Sequence, residues 1–265
     1  TPEIENYLIN RTTDWSKKVI HNGFQQDYQV SISNKKEDVS YYWSLGYADR
    51  EGVIVGDRFN TVRTRLNLES QVASFLKVGL NTNFASRDEG YLQCDWEQMV
   101  RISPFGADEI GNHDVDIYLW KYPTIDVTPV NPFFDNLYRT RESVYSSLDA
   151  NLYAILNLPF GIEYQINFVP HFQWHEYYNH DSSKHFEWKA FGGKAERTTS
   201  KKYFWQIDNI FRWRKQFNQI HNIEATFLVN AEKGQTWSQT MTATDFSPSD
   251  VLGYHRMQAG TIPLN

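Results

Sequence analysis

Histidines and carboxylates are the residues of this chain best suited to hold a metal ion or move a proton, and they gather between Glu163 and His185. Glu163, His171 and His175 share parity on what reads as a strand. Residues i and i+4 of a strand lie about 13 Å apart at ~3.3 Å per residue, so His171 and His175 cannot chelate one ion together. They read as part of a polar wall. His175, Glu176, His180, Asp181 and His185 could surround a metal from a connecting segment, but no ligand spacing is fixed there, and no metal site is expected. Carboxylates for general acid–base work are plentiful, yet no pair is singled out by its setting. Patterns of the G-x-S-x-G, P-loop, H-E-x-x-H and EF-hand types are absent. The single cysteine, Cys94, has no indicated activating partner. It also rules out an intrachain disulfide and a cysteine-cluster zinc site. No catalytic residue and no cofactor are expected.

A second group of side chains suits binding rather than catalysis. Trp96, Tyr118, Trp120 and Tyr122, with Phe133 and Phe134, fall in one long segment. Exposed rings stack on sugars or pack against a partner. The plainer reading is a loop packed on itself.

Composition narrows the class. The chain has 265 residues with a net charge of -6, and it carries 17 Phe, 16 Tyr and 9 Trp. The length is enough for a sizeable core. The mild acidity offers no electrostatic footprint for nucleic acid, and none is expected as a partner. The aromatic load argues against disorder. Mean hydropathy is -0.60, and no run approaches 18 apolar residues. That excludes a transmembrane helix but not a membrane barrel, whose strands alternate and so hide from hydropathy averages. The chain begins TPEIENYL, without an initiator Met or a signal-like segment, and it ends GTIPLN; a fragment of a longer protein is expected.

The elements that must carry these groups are strands. Val39, Tyr41, Trp43, Leu45 and Tyr47 alternate with Ser40, Tyr42, Ser44, Gly46 and Ala48. Val62, Thr64, Leu66 and Leu68 alternate with Thr61, Arg63, Arg65 and Asn67. Ile162, Tyr164, Ile166 and Phe168 alternate with Glu163, Gln165 and Asn167; Tyr203, Trp205, Ile207, Phe211 and Trp213 alternate with Gln206, Asp208, Arg212 and Arg214. This period of two repeats through about eight segments, at roughly 26–33, 39–48, 59–69, 75–86, 143–157, 161–177, 202–215 and 220–233. The connections sort by length. Asn34–Asp38, Glu69–Phe75, Leu158–Phe160 and Lys215–Ile220 are short, while Gly46–Arg58, the 87–141 segment and His175–Lys202 are long. Short turns at one end and long loops at the other is the arrangement of outer-membrane barrels.

Alternation alone leaves two environments open. In a soluble sandwich the apolar face packs on a second sheet; in a membrane barrel it meets lipid and the polar face lines an aqueous lumen. Two features lean toward the barrel: aromatics near strand ends, and charges on the polar face such as Arg63, Arg65, Glu163, Asp208 and Arg212. The alternative is a soluble β-rich carbohydrate-binding module. A β-rich glycoside hydrolase would need two carboxylates about 5–10 Å apart in a cleft.

Residues Thr13–Phe84 add a family resemblance. They read TDWSKKVIHNGFQQDYQVSIS, YYWSLGYADREGVIVGDRFNTVRTRLNLES and FLKVGLNTNF. In order and spacing this run resembles the barrel domain of SusC/RagA-type TonB-dependent outer-membrane transporters of Bacteroidetes. The family's SxSGG is SISNK here, at Ser31–Lys35, a departure with fewer glycines at a predicted tight turn. From Asn131 to Asn230 the likeness rests on strand and turn pattern, and DFSPSDVLGY at Asp245–Tyr254 again looks family-like.

The resemblance implies an all-β, antiparallel, up-and-down transmembrane barrel segment of about eight strands, an incomplete part of a 22-stranded barrel whose plug and TonB box are not in this chain. It implies nutrient uptake through the cell outer membrane, with a glycan or peptide as substrate and a SusD-like surface lipoprotein as lid. The TonB complex would act through the missing plug region, and the barrel would sit in outer-membrane lipid. The 87–141 loop would be extracellular, with Trp96, Tyr118, Trp120 and Tyr122 meeting substrate or lid. Arg63, Arg65, Glu163, His171, Asp208 and Arg212 would face the lumen. There the arginines would steer substrate or touch the plug, unless they only pair with Asp208 and Glu224. A lone segment would leave two unpaired sheet edges.

Overall fold

The structure, a computed structural model, describes residues 2–108, 117–218 and 220–263. Nine strands form one antiparallel sheet in chain order: β1 (Phe24–Lys36), β2 (Val39–Glu51), β3 (Arg58–Ala73), β4 (Leu76–Asp88), β5 (Arg139–Leu158), β6 (Ile162–Asp181), β7 (Lys194–Phe217), β8 (His221–Phe246) and the short β9 (Gly260–Pro263). The sheet is open, and among the described residues β1 has no partner on its outer side. Two short helices, α1 (Pro2–Leu8) and α2 (Trp15–Val19), precede β1. Three more, α3 (Trp96–Met99), α4 (Ile117–Lys121) and α5 (Phe134–Tyr138), lie between β4 and β5.

The register carries the alternation across the whole sheet. One row runs Leu45–Thr64–Phe84–Leu148–Phe172–Tyr203, and another Tyr41–Leu68–Leu80–Leu152–Phe168–Ile207. One residue along, on the opposite face, lie Gly46–Arg63–Ala85–Ser147–Gln173–Lys202 and Asn67–Asn81–Asn151. Because the side-chain period is two, an antiparallel ladder without slips keeps each face of one kind from strand to strand. Between β5 and β6 the ladder skips Ala150 and Asn151 opposite Val169 and Pro170, while Pro170 still pairs with Trp205 of β7. The proline lacks the N–H that β5 would have received.

No second sheet exists among the described residues, and large side chains of the apolar face stay exposed, among them Val30, Ile32, Leu45, Val62, Leu152, Phe227 and Trp237. A sandwich would bury them. A compact core on that face lies at the loop end, where the turn at 253–259 brings Tyr254 and Met257 onto Ala195, Ala243 and Phe246.

The two ends of the sheet differ sharply. At one end β1–β2 and β3–β4 join through Glu37–Asp38 and Ser74–Phe75, and β5–β6 through Pro159–Gly161. The β1–β2 turn manages without glycine by setting Glu37 at φ 30°. Gly161 takes φ +78°, where a Cβ would fall 2.2 Å from Arg214 O, so glycine is required. At the other end lie the Gly52–Asp57, 89–138, 182–193 and 247–259 connections.

Several strands outrun the alternation seen in sequence. β7 starts at Lys194 rather than near 202, and β8 continues to Phe246 rather than ending near 233. In KAERTTSKK and KGQTWSQTMTAT both faces are largely polar, so the hydrophobic contrast fades while the backbone ladder continues from Lys194↔Thr244 onward. β9 has no alternation to betray it, being four residues long.

Candidate functional site

β1 starts at the loop end, since Phe24 pairs with Glu51, and so the 2–22 segment lies there too. It docks on the long connection. The Thr13 N–H donates to Pro104 O (2.6 Å), Trp15 Nε1 to Ser103 O (3.1 Å) and Asn6 Nδ2 to Phe105 O (3.0 Å). Burial pushes the Asp108 carboxyl up, but hydrogen bonding and charge from Lys18 at 2.7 Å, with Arg11, hold it below the usual range. Ile20 bridges Ile54, and the Cys94 N–H donates to Val55 O (2.9 Å). This close approach needs Gly56: its φ is +84°, and a Cβ there would lie 1.9 Å from Leu92 O. Cys94 is buried, and burial raises its thiol pKa, which suits a packing residue and not a nucleophile.

A polar knot ties the 89–138 connection to the 182–193 connection. Arg139 reaches Asp181 at 2.5 Å and Asp135 at 2.7 Å. His185, 1% exposed, accepts the Glu187 N–H at Nδ1, which leaves its proton on Nε2 to donate to Asp135 at 3.2 Å. That hydrogen bond, with the charges of Arg139 and Lys121 and against desolvation, holds the Asp135 carboxyl below the usual range. Lys121 threads a ring of aromatics, its Nζ 4.3 Å from the Phe186 centroid, 5.3 Å from Tyr122 and 5.5 Å from Phe134.

The four aromatics singled out in the sequence do not form one surface. Trp96 is exposed at the start of α3, where the Asp95 carboxylate accepts from the Glu97 and Gln98 N–H groups. Tyr118 is exposed on α4 and Tyr122, just past its end, is half-buried; their centroids are 5.1 Å apart, and both face Phe186 at about 6 Å. Trp120 is half-buried. A cavity of 160 Å³ opens beside Tyr118 and Tyr122, lined also by Leu119, Pro123 and Val127. Lys121, Phe186, Asp135 and Arg139 were not apparent from sequence, because the contacts that tie the two connections together join residues about 40 to 65 apart.

On the polar face, Arg63 pairs with Asp27 (2.8 Å) and Arg212 with Glu163 (2.6 Å). His171 meets Asp149 directly across the strand pair. Asp208 accepts from Gln206 and Asn230. Arg65 is exposed and has no ion pair or side-chain hydrogen bond among the described residues. The possible metal cluster is dispersed: His175 Nε2 is 3.2 Å from Ser143, Asp181 holds Arg139, and His185 holds Asp135. His180 Nε2 sits 3.3 Å from Asp250 without hydrogen-bond alignment.

Cavities follow this face from the loop end inward. One of 540 Å³ lies among Phe59, Tyr91, Arg139, Arg141 and Tyr177. A second, of 360 Å³, is lined by Arg50, Phe59, Arg63, Arg87 and Tyr145, and a third, of 200 Å³, by Tyr42, Arg63, Arg65 and Asn83.

No protein-family model matches the chain. It is 30% identical over 76 residues to TonB-dependent receptor P26 of Formosa agariphila, and 28% identical over 85 residues to TonB-dependent receptor SusC of Bacteroides thetaiotaomicron. These matches span 29% and 32% of this chain but 8% of each relative. Among solved structures, the RagAB peptide transporter superposes with a TM-score of 0.77 at 17% identity, over 97% of this chain and 30% of that one. The closed-closed state of the RagAB peptide importer gives 0.73 at 16% identity, over 96% and 30%. The chain thus resembles SusC/RagA-type transporters, and its sheet has the fold of a barrel-wall segment.

Proposed function

We propose that this chain forms part of the wall and mouth of an outer-membrane, TonB-dependent nutrient importer of the SusC/RagA type. The observation that carries the reading is the sheet itself: an uncovered apolar face, a charged opposite face, and connections sorted by length between the two ends. Such a face is stable against lipid and costly against water. The short turns then lie on the periplasmic side, and the 89–138 and 182–193 loops are extracellular. In this reading Arg63, Arg65, Glu163, His171, Asp208 and Arg212 line the lumen, and the loop rings Trp96, Tyr118, Trp120 and Tyr122 meet substrate or lid. The substrate is a glycan or a peptide, a SusD-like lipoprotein caps the mouth, and the TonB complex acts through a plug region beyond this chain. We assign the chain no catalytic step. The test is fractionation and cysteine labelling of the intact protein in a Gram-negative host. Recovery in the outer membrane, with label from a bilayer-impermeant maleimide at Phe186→Cys but not at Phe160→Cys, supports the topology. A soluble, detergent-independent monomer contradicts it.

A further inference from the structure

Three arginines of the polar face have no acidic partner among the described residues. Arg141 of β5 lies over the Tyr177 ring at 6.0 Å, and its Nε is buried without a hydrogen-bond partner. Arg50 of β2 lies over the Phe59 ring at 5.7 Å, and Arg65 of β3 has no ion pair. Their neighbours are satisfied: Arg63 by Asp27, Arg87 by Glu89, and Arg139 by Asp135 and Asp181. Asp149, in the row of Arg65, is taken by His171. Among the described residues lining these cavities, the carboxylate without an ion pair is Asp57, exposed at the outer rim. This local cationic excess stands against a net charge of -6 for the chain, so it is a feature of the site and not of the bulk.

The three also sit at successive depths. The cavity holding Arg141 and the one holding Arg50 share Phe59, and the cavity holding Arg50 and the one holding Arg65 share Arg63. Arg65 lies in the row of Asp149, eight residues along β5 from Arg141, or about 27 Å at ~3.4 Å per residue. Aromatic rings interleave: Tyr177, Phe59 and Tyr42. The outermost cavity is walled partly by Tyr91 and Gln93 of the long connection, so this chain supplies both its sides.

A planar guanidinium without an internal acid, held beside an aromatic ring in a partly enclosed cavity, is suited to a carboxylate, which it can bind through two parallel hydrogen bonds. We propose that Arg141, Arg50 and Arg65 form a file of carboxylate-binding subsites running inward from the mouth, for a solute carrying several carboxylates. This deepens the import reading and rests on it.

The test uses the intact transporter in detergent, with tetraglutamate and trigalacturonate as probes, and tetraglutamine amide and the trigalacturonate methyl ester as uncharged counterparts. Arg141→Gln, Arg50→Gln and Arg65→Gln should each weaken binding of a charged probe about tenfold, the loss expected for one charge-assisted hydrogen-bond pair. Binding of the uncharged counterparts should not change, and Arg141→Lys should recover part of the loss. Loss with tetraglutamate alone identifies acidic peptides, and with trigalacturonate alone uronate saccharides. The proposal is overturned if neither probe binds, if charged and uncharged probes lose equally, or if the variants shed a neighbouring domain without changing probe affinity. Heat-modifiable migration confirms that each variant is folded. A transporter that imports uncharged solutes and ignores both charged probes would sink the file while leaving the import reading standing; a protein that never reaches the outer membrane would sink both.

Discussion

Leu80 and Asn81 are adjacent on β4 but face opposite ways, and an arginine at each separates a lipid-facing wall from a wet one. Leu80 lies in the row Leu68–Leu80–Leu152–Phe168, and Asn81 in the row Asn67–Asn81–Asn151. Depth follows from the strands. Leu80 is four residues from the start of β4, and its partner Leu152 is six from the end of β5. At ~3.4 Å per residue and a tilt of about 45°, those positions lie roughly 10 and 14 Å above the turn end, near the middle of an apolar band about 25 Å tall. An arginine at that depth costs about 2–4 kcal/mol on the lipid side. On the polar side Asn81 is exposed, and Asn81→Arg should stay within about 0.5 kcal/mol. The assay is guanidinium titration of the intact protein in phosphatidylcholine vesicles, reading the folded fraction by heat-modifiable migration. Leu80→Arg should lower the midpoint clearly, and Asn81→Arg should not. Equal effects, or a larger cost at Asn81, would refute the assignment of faces.

Three further outcomes are expected at the loop end. Gly56→Ala puts a Cβ onto Leu92 O and forces φ +84° on an L-residue, costing about 1–2 kcal/mol from the backbone alone; limited proteolysis should cut the 89–138 connection faster. Arg139→Met strands Asp181, which is 2% exposed, and should destabilise the loop assembly by about 3–5 kcal/mol in thermal melts, with Asp181→Asn in the same chain restoring part of it. Asp135 has a lowered pKa in the folded state. Its contribution is therefore present above the ordinary carboxylate pKa of ~3.9 and lost as pH falls through the lower folded value. Protease sensitivity of the 182–193 loop should rise in that acid range, and Asp135→Asn should be equally sensitive at neutral pH.

The legible part of the fold was the part where the two faces meet different media. Tyr41–Trp43–Leu45 against Tyr42–Ser44–Gly46 announces a strand and its apolar side, because a bilayer or a core selects every second residue. Where both faces carry largely polar residues, as along 194–202 and 233–244, that contrast fades and only the neighbouring backbone extends the ladder. The aromatics of the long connection were visible as residue types, but not as partners. Tyr118 and Tyr122 pack with Phe186 around a lysine, while Trp96 stands apart on α3.

The sequence by itself determined the strand class, the two faces and the sorting of short from long connections, since all three are local: a period of two, and the lengths between its interruptions. Only the tertiary structure decided which charges are consumed and which are spare. His185 with Asp135, Arg139 with Asp181 and His171 with Asp149 take their partners from 22 to 50 residues away, across a strand pair or between loops. Arg141, Arg50 and Arg65 lie on three strands and read as ordinary surface arginines until the register lines up their cavities. Hydrogen bonds and ion pairs act over about 3 Å of space, whatever the separation along the chain, and only the folded register sets those distances.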